Sequence, residues 1–203
     1  MFRIFAMLIG YGFGMIQVAY IIGKMQGIDI REHGSGNSGA TNALRVMGLN
    51  KGMVVFILDA SKCALAFYVA YNFLDTGYPV PATVAGMYAG LGAVLGHCYP
   101  FYLKFKGGKG IACTIGLMFS LDIFMGLTIF VVGLSIIIFT RYVSLASITV
   151  MALLPVFLFL YSFALEIVLV ALVISIMCIA MHRGNISRLL SGTERKIGNK
   201  EEV

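Results

Sequence analysis

Residues Ile111–Thr140 read IACTIGLMFSLDIFMGLTIFVVGLSIIIFT. How often this chain crosses a membrane turns on that run. At about 1.5 Å per residue, one helix over the whole run extends roughly 45 Å. That is long for one crossing of a ~30 Å hydrocarbon core and short for two. A single charge, Asp122, interrupts it near the middle. Two short crossings hinged at Asp122 return Arg141 to the side from which Ile111 departs. One long crossing puts it on the opposite side.

The rest of the chain decides between the two. Of its 203 residues, 60% are apolar and 12% charged, whereas soluble domains run nearer 45–50% and 25%. The chain is therefore a polytopic membrane protein, all-α, read as a single domain over residues 1–203. Arg3 precedes an apolar run to Gly23, too long for a signal-peptide core and without an Ala-x-Ala site, so it is read as a retained first span over Ile4–Gly23. Further spans are expected over Gly52–Phe73, Ala82–Gly96, the two halves of 111–140, Val143–Tyr161 and Ala164–Met181. With seven spans, 13 of the 15 Lys and Arg lie on or near one face, leaving out only Arg3 and Lys62. With six, Arg141 or the tail cations Arg183, Arg188, Arg195, Lys196 and Lys200 are misplaced. The positive-inside rule therefore selects seven transmembrane helices, N-terminus outside and C-terminus cytoplasmic.

The net charge of +6 is no nucleic-acid signature, because the cations cluster at the ends of apolar segments. Cys63, Cys98, Cys113 and Cys178 are scattered singly, so neither a metal site nor a disulfide framework is expected.

On the seven-span reading, three polar loops open to the cytoplasm. The first contains HGSGNSGATNALR, His33–Arg45. Gly34, Gly36 and Gly39 match a dinucleotide fingerprint, with Asp59 twenty residues on. That reading is rejected, because no strand precedes the glycines and Asp59 lies within a span. Ser35, Asn37, Thr41 and Asn42 instead suggest donors converging on an anion. A helix starting after Gly39 would add its N–H groups, and Arg45 a planar fork for phosphate. The second loop, HCYPFYLKFKGGKG (His97–Gly110), sets Lys104, Lys106 and Lys109 around Gly107 and Gly108. The glycines are expected to turn successive N–H groups inward as an anion nest. It is no Walker A loop, since Gly110 follows Lys109. His97 is read as a base or as a cap on helix carbonyls, the structural role being favoured. The third loop reads HRGNISRLLSGTE, His182–Glu194. His182, Asn185 and Arg188 share roughly one face if the last span's helix continues. Ser144 adds one donor from the turn at Arg141. Asp59 and Lys62, three residues apart, are read as a functional pair or as a buried tie between spans.

Together the three loops resemble one family, the bacterial acyl-phosphate:glycerol-3-phosphate acyltransferases known as PlsY. Its motif GSGNxGATN stands here as Gly34–Asn42. A His followed by Pro and FKGGKG-x-A stands as His97, Pro100, Phe105–Gly110 and Ala112. H-x-x-N-I-x-R-L-x-x-G-x-E stands as His182, Asn185, Ile186, Arg188, Leu189, Gly192 and Glu194. The resemblance covers most of the chain, with no departure at a motif position. It implies transfer of a fatty acyl group from acyl phosphate to the 1-hydroxyl of glycerol 3-phosphate. The products are 1-acylglycerol 3-phosphate (lysophosphatidic acid) and phosphate, and the reaction is the first step of phospholipid synthesis.

The resemblance further implies glycerol 3-phosphate against Ser35, Arg45, Lys104, Ser144, His182, Asn185 and Arg188. It places the acyl phosphate head against Gly36, Asn37, Gly39, Thr41, Asn42, Lys106, Gly107, Gly108 and Lys109. His182, Ser35 and Asn185 are the expected catalytic residues. No cofactor or metal is expected. The expected partners are the two substrates and the lipid bilayer, for a monomer in the bacterial inner membrane with its site on the cytoplasmic face. There is no G-x-S-x-G, so attack is expected to be direct, without an acyl-enzyme. The proton acceptor is His182 or a substrate phosphate oxygen.

Two rivals fit less well. CoA-dependent acyltransferases use H-x-x-x-x-D, but Ser38, Tyr102 and Ser187 follow the three histidines at that spacing. A carrier of organic phosphates would need a polar path through the bilayer and an internal repeat. A reporter inserted at Asp122 is expected on the outer side of the membrane. Its detection on the cytoplasmic side would overturn the seven-span topology.

Overall fold

The structure, a computed structural model, describes residues 1–77 and 79–198. Lys200 of the basic tail lies outside them. The described residues form helices and no strand: α1 (Phe2–Gly14), α2 (Val18–Met25), α3 (Ala40–Met47), α4 (Leu49–Phe73), α5 (Ala82–Cys98), α6 (Ile111–Leu121), α7 (Ile123–Thr140), α8 (Val143–Leu160), α9 (Leu165–Met181) and α10 (Arg183–Leu190). The helix break in the deciding stretch falls at Asp122. Its extended backbone ends α6, and its carboxylate accepts the Met125 N–H at 2.8 Å, satisfying a donor in the first turn of α7.

Among the described residues, four stretches are long and apolar enough to cross a membrane: Phe2–Met25, Leu49–Phe73, Ile123–Thr140 and Val143–Leu160. Leu165–Met181 with Arg183–Leu190 passes as a pair bent by 59°. Large apolar side chains such as Ile57, Leu65, Val131 and Ile176 are about half exposed or more, as lipid-facing residues are. The first span, expected over Ile4–Gly23, is found as Phe2–Met25, but it is built of two helices parted at Met15–Gln17.

The chain folds as two compact units, Met1–Gly126 and Leu127 onward. In the first, α5 packs between α1 and α4, and α6 lies against α4 and α5. Two small-xxx-small pairs bring α1 and α5 into backbone contact. A Cβ on Gly10 or Gly14 would collide with the Ala89 or Ala93 carbonyl, and one on Gly92 or Gly96 with the Met7 or Tyr11 carbonyl. Membrane helices gain dispersion energy from such close approach because lipid gives them no hydrophobic drive to associate. Gly116 repeats the device, placing α6 against the Ala60 carbonyl of α4. In the second unit α8 packs on α9, and α10 rests on both.

Gly92→Ala is expected to destabilise the protein by ~1–3 kcal/mol through overpacking. Gly12→Ala, two residues from Gly10 but with nothing within 4 Å of its Cβ, is expected to be neutral or stabilising by ~0.5–1 kcal/mol. Thermal unfolding in detergent compares the two, and equal losses would contradict the backbone contact.

Candidate active site

The first unit brings the first two loops together. Asn37 Nδ2 donates to the Gly107 carbonyl at 3.0 Å, joining them directly. Ser38 Oγ donates to Gln17 Oε1 at 3.0 Å, and Gln17 Nε2 donates to the His97 carbonyl at 3.0 Å. Gln17 is fully buried in the break between α1 and α2. The break thus has a purpose: it turns an amide toward the end of α5. A lone Gln inside an apolar run was the only signal, and its partner lies 80 residues away.

Asn42, in the first turn of α3, is a tie within its loop. Its Nδ2 donates to the Ile30 and His33 carbonyls, and its Oδ1 accepts the Ser35 N–H at 2.8 Å. Helix α3 does start directly after Gly39, so its first turn faces the loop. Ser35, Gly36 and Thr41 are exposed beside it, and Arg45 is half-buried in the last turn. Asp29 caps the short turn before the glycines. The Arg31 guanidinium grips it through Nε at 3.0 Å and Nη2 at 2.7 Å and holds its carboxyl well below the usual carboxylate range. Asp29, Arg31, Glu32, Gly36 and Lys106 line a polar hollow there.

The second loop corrects one expectation. Gly107 and Gly108 do not turn their N–H groups inward as a nest. Gly107 N–H donates to the Cys98 carbonyl at 3.1 Å and Gly108 N–H to the His97 carbonyl at 3.0 Å. Both carbonyls end α5 and lack helical partners. The glycines are required sterically: a Cβ on Gly107 would strike the His97 carbonyl, and one on Gly108 the His97 imidazole. Lys104 and Phe105 both adopt left-handed backbone, φ 55° and 59°. That conformation costs a non-glycine residue about 1 kcal/mol or more. It leaves Lys104 and Lys106 exposed while both glycines stay buried.

Beneath the loop, Asp59 and Lys62 form the buried pair read from sequence. The ammonium lies 2.7 Å from Asp59 Oδ1, 2.6 Å from the Ile16 carbonyl and 2.9 Å from His97 Nδ1. It ties α4 to the α1–α2 break and to the end of α5. His97 takes a structural place, though its ring meets Lys62 rather than a helix carbonyl.

The second unit gathers the third loop around a residue absent from the expected ligands. Glu194 accepts Ser144 Oγ at 2.8 Å and Asn185 Nδ2 at 2.7 Å on Oε1, and Arg188 Nε at 2.7 Å on Oε2. Burial pushes its carboxyl up, but hydrogen bonds from Asn185, Ser144 and Arg188 outweigh this and hold it below the usual range. The last span's helix does not continue straight: α9 ends at His182 and α10 sets off at 59°. His182 is 4% exposed, and its Nδ1 lies 2.8 Å from the Cys178 carbonyl. A carbonyl only accepts, so Nδ1 carries a proton, and in the neutral ring Nε2 holds the lone pair. That is the form a general base needs. The tail is strapped beside this cluster, with Arg141 Nη2 donating to the Ile197 carbonyl at 3.0 Å and Ile197 N–H to the Arg141 carbonyl at 2.8 Å.

The comparisons agree with one another. A profile of the glycerol-3-phosphate acyltransferase family matches residues 4–192. The glycerol-3-phosphate acyltransferase of Alkaliphilus metalliredigens is 42% identical over the whole of both chains, and that of Aquifex aeolicus is 38% identical over 95% of this chain and 98% of its own. Two crystal structures of PlsY, an integral membrane glycerol 3-phosphate acyltransferase, superpose at 38% identity. The glycerol 3-phosphate form does so with a TM-score of 0.88, covering 97% of this chain and 96% of that one. The lysophosphatidic acid form gives 0.86, covering 97% and 95%. An all-helical membrane chain carrying all three motifs, with family relatives along its whole length, belongs to the glycerol-3-phosphate acyltransferase family.

Proposed function

We propose that this chain transfers a fatty acyl group from acyl phosphate to the 1-hydroxyl of glycerol 3-phosphate, releasing lysophosphatidic acid and phosphate. It acts as one acyltransferase domain over residues 1–203, as a monomer in the bacterial inner membrane. It crosses seven times, with its N-terminus outside and its site on the cytoplasmic face. The observation that carries this reading is the tether from Asn37 to Gly107, which holds the glycine-rich and lysine-rich loops against each other. Two substrates that both carry phosphate need two cationic, donor-lined sites side by side. The related structures in glycerol 3-phosphate and lysophosphatidic acid forms support the acceptor and the product.

Glycerol 3-phosphate is bound by Ser35, Arg45, Lys104, Ser144, His182, Asn185 and Arg188. The acyl phosphate head is bound by Gly36, Asn37, Gly39, Thr41, Lys106 and Lys109, while Asn42, Gly107 and Gly108, whose polar groups are committed within the protein, shape its seat. Glu194 orients Ser144, Asn185 and Arg188 for their part. The glycerol hydroxyl oxygen attacks the acyl carbon, the bond from that carbon to the phosphate oxygen breaks, and phosphate leaves with the electron pair. The hydroxyl proton passes to His182 Nε2 or to a phosphate oxygen. No acyl-enzyme is needed, because the donor already carries a good leaving group. Aligning the reactants is worth roughly 7–11 kcal/mol, and the cations offset the charge that develops on phosphate.

Purified protein is expected to release phosphate from acyl phosphate only when glycerol 3-phosphate is present, and to leave acyl-CoA untouched. Turnover with acyl-CoA instead would overturn the donor assignment. Lys104→Ala and Arg45→Ala are each expected to raise the KM for glycerol 3-phosphate about tenfold or more, the loss of one charged hydrogen bond. Unchanged KM in both would refute the partition. His182→Ala is expected to lower kcat by about 100-fold or more if Nε2 takes the proton, and to leave it unchanged if the phosphate does. Because the Glu194 carboxyl sits below its ordinary range, the stability it adds is complete above roughly pH 5 and lost as pH falls through the lowered value. Glu194→Gln is therefore expected to flatten the acid limb of thermal stability.

A further inference from the structure

Asp59, Lys62 and His97 are 1%, 4% and 2% exposed, and no role in binding either substrate falls to them. An ammonium has three N–H donors and no acceptor. Lys62 hydrogen-bonds two acceptors, the Ile16 carbonyl and His97 Nδ1, and is ion-paired with Asp59 Oδ1 at 2.7 Å. Since the charged ammonium can only donate, His97 Nδ1 accepts and Nε2 carries the hydrogen. That Nε2 edge lies against Gly108, where no side chain fits. The carbonyl of the same residue receives Gly108 N–H at 3.0 Å and Gln17 Nε2 at 3.0 Å, and Gln17 in turn holds Ser38 of the first loop.

His97 is therefore wedged between a buried cation and the glycines of the second loop, and both loops hang on its carbonyl. The Cys113 thiol lies beside the pair, and the ligand atoms of Asp59, His97 and Cys113 fall within 4.8 Å of one another. A metal ion there would have to displace Lys62, so the chain supplies its own cation.

We propose that Asp59, Lys62 and His97 form a buried positioning unit that locks the His97 ring with its proton on Nε2 and so sets the path of Gly107 and Gly108. Lys62 is a positioning residue for the acyl donor, acting from within the bilayer through His97. This rests on the reading that Gly107–Lys109 seat the donor phosphate.

Nitrogen-15 histidine spectra of the full chain in lipid nanodiscs test it, since there are three histidines and His97→Asn removes one signal. His97 is expected to be neutral, with hydrogen on Nε2. A proton on Nδ1, or on both nitrogens, overturns the proposal, and His33→Gln with His182→Gln assigns the His97 signal by elimination should His97→Asn not fold. The charge-neutral double variant Asp59→Asn with Lys62→Met avoids leaving one buried charge alone. In it the fixed tautomer is expected to be lost and the KM for the acyl donor to rise about tenfold, with the KM for glycerol 3-phosphate held within about twofold. His97→Gln, which keeps an N–H near the Nε2 position, is expected to recover donor affinity that His97→Asn loses. Equal changes in both KM values, or none, would mean a merely structural pair. If the parent enzyme ignores acyl phosphate, the donor reading fails on its own, while the spectrum still decides the lock.

Discussion

The last carbonyls of α5 cannot go unpaired where His97 and Cys98 are buried, since an orphaned polar group there costs several kcal/mol. Helix geometry offers them no partner, and an apolar surrounding offers little water. The chain satisfies them with its own loop: Gly107 and Gly108 fold back on Cys98 and His97, and Gln17 reaches in from the first span. Once those bonds are made, the direction in which the lysines leave the loop is settled. The left-handed turn at Lys104 and Phe105 is what the backbone spends to close that path. Closure of a helix end and placement of cations are thus one structural event.

That event needs α1 and α5 at backbone distance, so that Gln17 arrives where the α5 carbonyls are. The glycines at 10, 14, 92 and 96 provide it. Polar bonds and close packing depend on each other here. Side chains on those glycines would part the helices and pull Gln17 from its carbonyl. Losing the Gln17 bond would leave a buried amide with nothing to bind.

The bilayer made much of the helical layout legible. Apolar length alone gave Val143–Tyr161 against the observed Val143–Leu160, and Ala164–Met181 against Leu165–Met181. A lone aspartate in 30 apolar residues marked the break between α6 and α7. The local polar pairing of Asp59 with Lys62 was legible because both lie one helical turn apart. What escaped was partnership over distance. Met15–Gln17 carries no proline or charge to announce a break, and Gln17 acquires meaning only beside His97. Glu194 stood in a motif, yet its hold on Ser144 across 50 residues has no sequence signal. The flexibility of Gly107 and Gly108 suggested an anion nest, whereas their small size makes room for His97.

Helix α6 has 11 residues, so it rises roughly 16 Å. That is about half of a ~30 Å hydrocarbon layer. As a crossing it would leave one end well inside the layer, or the layer would thin around it. The loop that carries Lys104, Lys106 and Lys109 leads straight into this short helix. A polar shelf recessed toward the lipid tails would let an amphiphile meet it sideways, its head at the shelf and its tail never leaving oil.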